Sequence, residues 1–230
     1  MADSLDPRWP RLLSLAVHEF RTPITVVAGY IRMLLKDRAG AITDQQRRML
    51  EEAEKSCGRL SGLVAEMSEL SALEAGTATF NRSTLDLRAV LNEVVAALPP
   101  GGDRDVRVDI ETAGGPAPVT GDAVRLRTAL ASIVTGLRRE VLEPPVLVVR
   151  EAVRDLGGRV TSWISISDAE RAASLQAAQP HDLVPFDEWR GGCGLSLAIA
   201  RRILTAHEAR LWGPADGAKA AAVVAFPHAV

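Results

Sequence analysis

The sequence predicts an α+β chain in two parts. A helical hairpin pairs with a second copy as a four-helix bundle, and an α/β sandwich with one mixed sheet follows it. Three observations predict this. Residues 9 to 76 show no strand-like alternation, and after Pro10 their only proline is Pro23. From about Phe80 short alternating runs and helical runs are mixed without strict order, the pattern of a mixed sheet covered by helices. The hairpin is also too small to bury its own apolar stripes well, because small single units are marginal.

The first helix is expected from Arg11 to Lys36, with Leu12, Leu15, Ala16, Ile24, Val27, Ile31 and Leu34 near helical spacing. Pro23 lies inside it and removes one hydrogen bond. Asp37-Arg38-Ala39-Gly40 reads as the stop. Thr43 and Gln46 form a capping-box pair that opens the second helix. Met49, Ala53, Cys57, Leu60, Val64, Met67 and Leu70 carry that helix forward, and Gly76 ends it. Pairing of two hairpins buries the stripes; packing of the hairpin on the rest of its own chain serves equally well.

Beyond the hairpin, a helix is expected from Leu85 to Leu98, then a turn at Pro99-Pro100-Gly101-Gly102 and a strand through Val106, Val108 and Ile110. Ala113 to Pro118 reads as a loop and Asp122 to Arg139 as a helix ended before Pro144-Pro145. Val146 to Val153 and Arg159 to Asp168 read as two strands joined at Asp155-Leu156-Gly157-Gly158. Ala169 to Gly192 reads as mostly loop, Leu195 to His207 as a helix and Ala221 to Phe226 as a closing strand. The parts are placed at residues 9–78 and 84–230.

Bulk properties narrow the function. The 230 residues are 47% hydrophobic and 24% charged, with a net charge of -2, so no general attraction to nucleic acid or acidic membrane is expected. Cys57 and Cys193 share no metal-ligand spacing and read as reduced thiols. The stretch before Pro10 is polar, unlike a signal peptide. Apolar runs such as Ala220 to Phe226 are too short to span a bilayer. A cytoplasmic chain is expected, and its short lead-in to His18 points to input from a separate upstream sensor protein.

Residues 18 to 23 read His18-Glu19-Phe20-Arg21-Thr22-Pro23. Imidazole is a good nucleophile near neutral pH. Glu19 can take its proton or set its tautomer, and Thr22 lies one turn on, along the same face. This box resembles the phosphoacceptor box of two-component histidine kinases, and the hairpin resembles their dimerisation and phosphotransfer domain. The resemblance implies that His18 carries phosphate, with Glu19 and Thr22 in catalytic roles. Thr22 would hold a water that hydrolyses phospho-aspartate on a response-regulator receiver domain.

The second part resembles the ATP-binding domain of the same family. Gly121-Asp122-Ala123-Val124-Arg125-Leu126 leads into a helix that the family marks with asparagines, where this chain has Ser132 and Gly136. The second asparagine would ligate magnesium, which takes hard oxygen ligands. Arg139 falls where a basic phosphate contact is common. The family's Asp-x-Gly-x-Gly box reads Asp168-Ala169-Glu170-Arg171-Ala172, with Asp168 implied as the acceptor for the adenine amino group. Gly191-Gly192-Cys193-Gly194-Leu195 opens a helix, and Gly192, Gly194 and Leu195 are implied in phosphate binding. ATP and Mg2+ are the implied cofactors, with Gly136, Glu170 and Ala172 against them; no resident metal site is expected.

The resemblance implies a protein-histidine kinase acting in a phosphorelay. Two alternatives stand beside it. One is a pseudokinase that works as a histidine phosphotransferase or response-regulator phosphatase. The other is a dimeric scaffold that binds a response regulator without chemistry.

Overall fold

The computed structural model describes residues 8–99, 106–141, 143, 145–189 and 193–229. The chain divides into two compact units, residues 1–78 and 79–230.

The first unit is the hairpin α1 (Trp9–Leu35) and α2 (Asp44–Glu74). Pro10 sits in the first turn of α1, where its missing N–H costs nothing. Thr43 caps α2: its hydroxyl oxygen accepts from the Gln46 N–H at 3.2 Å, and the Gln46 side chain accepts from the Thr43 N–H at 2.8 Å. Between the helices Asp37 takes the left-handed conformation, with φ 54°. Arg47 fixes this turn by donating to both oxygens of Asp37 and to the Leu35 carbonyl. At the other end Ser71 donates to the Pro10 carbonyl at 2.8 Å.

The interhelical seam differs from the expected stripe. Leu13, Val17, Ala28 and Ile31 are the buried residues of α1, meeting Cys57, Val64 and Leu70 of α2. Leu12, Leu15 and Val27 are exposed. The helix is apolar over so wide an arc that spacing alone does not say which edge meets α2.

The second unit begins with β1 (Ser83–Asp86), not with a helix at Leu85. The Asp86 side chain accepts from the Arg88 N–H, so α3 starts at Leu87 and runs to Ala96. The expected turn at Pro100-Gly101-Gly102 lies outside the described residues, as does Pro144. Then come β2 (Arg107–Thr112), β3 (Pro118–Gly121), α4 (Ala123–Arg138), β4 (Val146–Asp155) and β5 (Val160–Asp168). The expected loop after Asp168 contains α5 (Ala172–Ala177), a single 3-10 turn at Pro180–Asp182 and β6 (Leu183–Pro185). The chain continues as α6 (Ser196–Ala206), β7 (Arg210–Pro214) and β8 (Ala222–Pro227).

The main sheet has the order β2-β4-β5-β8-β7-β6, with β2 parallel to β4 and the other pairs antiparallel. A small antiparallel sheet pairs β1 with β3. Helix α4 packs on α3 and α6 and touches β5. Trp163, Val223 and Ala225 lie on one face of the sheet with Leu175 of α5; by strand alternation Ile164, Ile166 and Val224 point to the other. The Trp163 indole donates to the Leu175 carbonyl at 3.1 Å, so the large ring is buried with its polar atom satisfied. Among the described residues no helix is long and apolar enough to cross a membrane.

Candidate functional site

Helix α1 has three longitudinal faces. The first is the seam with α2. The second is polar: Arg11, Ser14, His18, Thr22, Thr25, Gly29 and Arg32 follow one another at helical steps. The third is apolar yet exposed, and carries Trp9, Leu12, Leu15, Phe20, Val26, Val27, Tyr30 and Met33. His18 stands in the polar face with 78% of its side chain accessible.

The His18 Nδ1 lies 3.3 Å from Glu19 Oε1. A carboxylate only accepts, so this contact requires the proton on Nδ1 and leaves the Nε2 lone pair facing solvent. Thr22 is exposed one turn beyond His18. Pro23 has no N–H, so the Glu19 carbonyl lacks its intrahelical donor and the ladder is weakest within a turn of His18. The structure therefore gathers His18, Glu19 and Thr22 on one accessible surface.

The second unit holds the other sequence-predicted residues. Asp168 ends β5 with little exposure, and both its oxygens are engaged. Oδ1 accepts from the Arg171 N–H at 2.9 Å, and Oδ2 from the Arg171 guanidinium at 3.0 Å. Arg171 also lies 3.5 Å from Asp216. The hydrogen bond that Arg171 donates to Asp168 is the main cause that raises the Arg171 guanidinium further above its ordinary value. Glu170 is exposed, while Ala172 is buried at the start of α5.

Gly136 is buried in α4. A Cβ there would stand 3.2 Å from Leu197 and 3.4 Å from the Cys193 sulfur. The position that lacks a ligating side chain is thus a close contact between α4 and the start of α6. Arg139 is the exposed C-cap of α4. Gly194 has φ 57°, and Leu195 is the N-cap of α6 without a side-chain cap bond. The Ser196 N–H and hydroxyl both point back to the Cys193 carbonyl. Gly192 lies outside the described residues.

Sequence reasoning missed the partner of Asp168. The signal was present: an aspartate followed three residues later by arginine, just before a helical run. It also missed Glu188. This buried carboxylate is held by Arg201 at 2.8 Å and by Arg202, both on α6.

Residues 10–76 match the family model of the His Kinase A (phospho-acceptor) domain. The hairpin is thus similar to the phosphoacceptor domain of histidine kinases. Similarity extends over the second unit. The signal transduction histidine-protein kinase BarA of Escherichia coli is 26% identical over 202 residues, covering 81% of this chain and 21% of BarA. The phosphate regulon sensor protein PhoR of Pseudomonas aeruginosa is 26% identical over 214 residues, covering 84% and 44%. The chain is thus a relative of the two-component sensor histidine kinases and spans less than half the length of these relatives.

Two solved structures share the fold of this histidine-kinase relative. Full-length ShkA, in complex with AMPPNP, superposes with a TM-score of 0.68 at 22% identity, covering 95% of this chain and 45% of ShkA. The histidine kinase ThkA, in complex with the response regulator TrrA, gives 0.53 at 16% identity, covering 95% and 61%.

Proposed function

We propose that this chain is a two-component phosphotransferase of the histidine-kinase type. His18 takes up a phosphoryl group and passes it to an aspartate of a response-regulator receiver domain. The observation that carries this reading is the exposed His18–Glu19 pair on the polar face of α1, with Thr22 one turn on.

The chemistry follows from the tautomer. With Nδ1–H directed at Glu19, the Nε2 lone pair is the nucleophile. Attack on phosphorus would leave a cationic ring, and Glu19 accepts the Nδ1 proton as that charge develops. The phospho-imidazole is then neutral in the ring and exposed to the next acceptor. Thr22 positions a water against phospho-aspartate on a docked receiver domain, which gives a phosphatase arm. The receiver docks beside His18; ThkA, a protein of the same fold, has been solved with its response regulator.

The working unit is a homodimer in which the exposed apolar face of α1 meets a second copy. The free thiols Cys57 and Cys193 suit a reducing, cytoplasmic compartment. Bound ATP and Mg2+ would supply the phosphoryl group and neutralise its charge. In this chain Asp168 and Arg139 are the residues offered to the nucleotide, and position 136 offers magnesium no side chain.

The test is phosphorylation of the purified chain beside His18→Ala. Acid-labile, alkali-stable phosphate on the wild type, transferable to a receiver domain and absent from the variant, is the expected result. Equal labelling of the variant would exclude His18.

A further inference from the structure

Two contacts inside the second unit bear on where the phosphoryl group comes from. The first is at Gly136. Magnesium needs an oxygen ligand in strict geometry, and here a glycine backbone packs directly against Leu197 and Cys193 of the α6 segment. A larger residue at this position would require the Leu197 and Cys193 side chains to shift by a few tenths of an ångström. The second contact is at Asp168. Each of its oxygens accepts one hydrogen bond from a residue of its own loop, Arg171, which has a second carboxylate, Asp216, within 3.5 Å. An adenine amino group would share this carboxylate with the Arg171 guanidinium, whose charge-assisted bond is the stronger of the two.

The surroundings reinforce both contacts. Glu188, 3% exposed, ties the segment before α6 to Arg201 and Arg202, so two cations of α6 are committed internally. Glu170 adds an exposed carboxylate two residues from Asp168. A nucleotide polyphosphate meets an added carboxylate at Glu170, no magnesium ligand at position 136 and an adenine acceptor already paired with Arg171.

We infer that His18 receives its phosphoryl group from the aspartyl phosphate of a receiver domain, not from magnesium ATP held by the second unit. This rests on the phosphocarrier reading above and names its donor. The step balances without a further reactant. The Nε2 lone pair of His18 attacks phosphorus, and the P–N bond forms as the acyl P–O bond breaks. The receiver carboxylate leaves with the electron pair, and the Nδ1 proton passes to Glu19 and then to solvent. The same step run backwards delivers the group to an aspartate on a second receiver. The chain therefore stands between two receiver domains, and the reaction that feeds it is an upstream kinase's phosphorylation of the first.

The experiment offers the full chain two donors in parallel. One is γ-labelled ATP with magnesium. The other is a panel of single receiver domains from the source genome, each charged with labelled acetyl phosphate and freed of excess reagent. His18→Ala serves as the control for both. The expected result is His18-dependent label from at least one receiver, and ATP labelling at least a hundredfold lower. Labelling from ATP at a comparable level overturns the donor assignment and leaves the phosphocarrier reading standing. Label from neither donor overturns both. A receiver that is labelled in return by phosphorylated His18 supports the inference further.

Discussion

Glu19 is the only carboxylate among the 27 residues of α1, and it lies against the helix's one histidine. Its isosteric replacement separates charge from shape. Glu19→Gln keeps an oxygen that can accept from Nδ1–H but cannot take the proton. Phosphotransfer through His18 should slow by about a hundredfold, read as the rate of label transfer in the variant beside the wild type. Thr22→Ala should leave uptake unchanged and slow only the loss of phosphate from the receiver. His207 gives a second residue-scale prediction. Its Nε2 accepts from the Asp122 N–H at 3.0 Å, and its Nδ1 donates to the Ile203 carbonyl at 2.7 Å, so the ring is held neutral. Burial is the main cause that lowers its pKa below 6.5, with Arg82 and Arg125 lowering it further against the Ile203 bond and Asp122. The unfolded chain then binds the proton more readily than the folded one. Stability should be level above about pH 6.5 and fall as pH drops from there toward the depressed folded value. A Tm series against pH should show this slope in the wild type and lose it in His207→Gln. The box His18 to Pro23 could be read as a unit because its six residues are contiguous. The roles of His207 and Arg171 could not be read, since each depends on what folding brings alongside it.

Helix α2 was legible at its start because the capping box is local: Thr43 and Gln46 satisfy each other's backbone within one turn. The missed elements are those whose reason to form lies elsewhere in the chain. Strand β1 has four residues and exists by pairing with β3, Ser83 opposite Gly121. Strands β6 and β7 have three and five residues, with proline in each, and carry no alternation to read. The same remoteness hides the ion pair that ties α3 to the sheet. Arg88 donates from Nε to Glu151 at 2.6 Å across 63 residues, both side chains are buried, and a guanidinium nitrogen also reaches the Gly114 and Gly115 carbonyls. Removing one partner leaves a buried charge alone. Glu151→Ala should cost about 3–5 kcal/mol in chemical denaturation. The double change Arg88→Met with Glu151→Leu should recover much of it, because a well-packed apolar pair can replace a buried ion pair. Equal losses in the single and double variants would show that packing, not charge, sets the cost.

At the scale of the whole molecule, α1 presents more apolar surface than its own hairpin can cover. Leu12 and Leu15 are 59% and 60% exposed, Tyr30 63%, and Trp9, Phe20, Val26, Val27 and Met33 continue the arc. Met49, Leu60 and Leu63 of α2 are exposed as well. Spacing alone left two occupants for the expected stripe, because an amphipathic pattern does not say what covers it. The structure sharpens the question by showing that one arc meets α2 while a second stays open. Fully burying one such side chain contributes about 1.5–3 kcal/mol. Eight such half-exposed side chains on each copy contribute an amount comparable to the association cost of about 4–15 kcal/mol. The chain should therefore run as a dimer in light scattering, and its Tm should rise with protein concentration, because association stabilises only the folded state. Leu15→Glu with Tyr30→Glu places charge in the open arc and touches none of the buried seam residues Leu13, Val17, Ala28 and Ile31. That variant should keep its helical circular dichroism, sediment as a monomer and melt at a midpoint that no longer depends on concentration. A wild type that sediments as a monomer at every concentration would remove the dimer. If the double variant stays dimeric, the second copy sits on another surface.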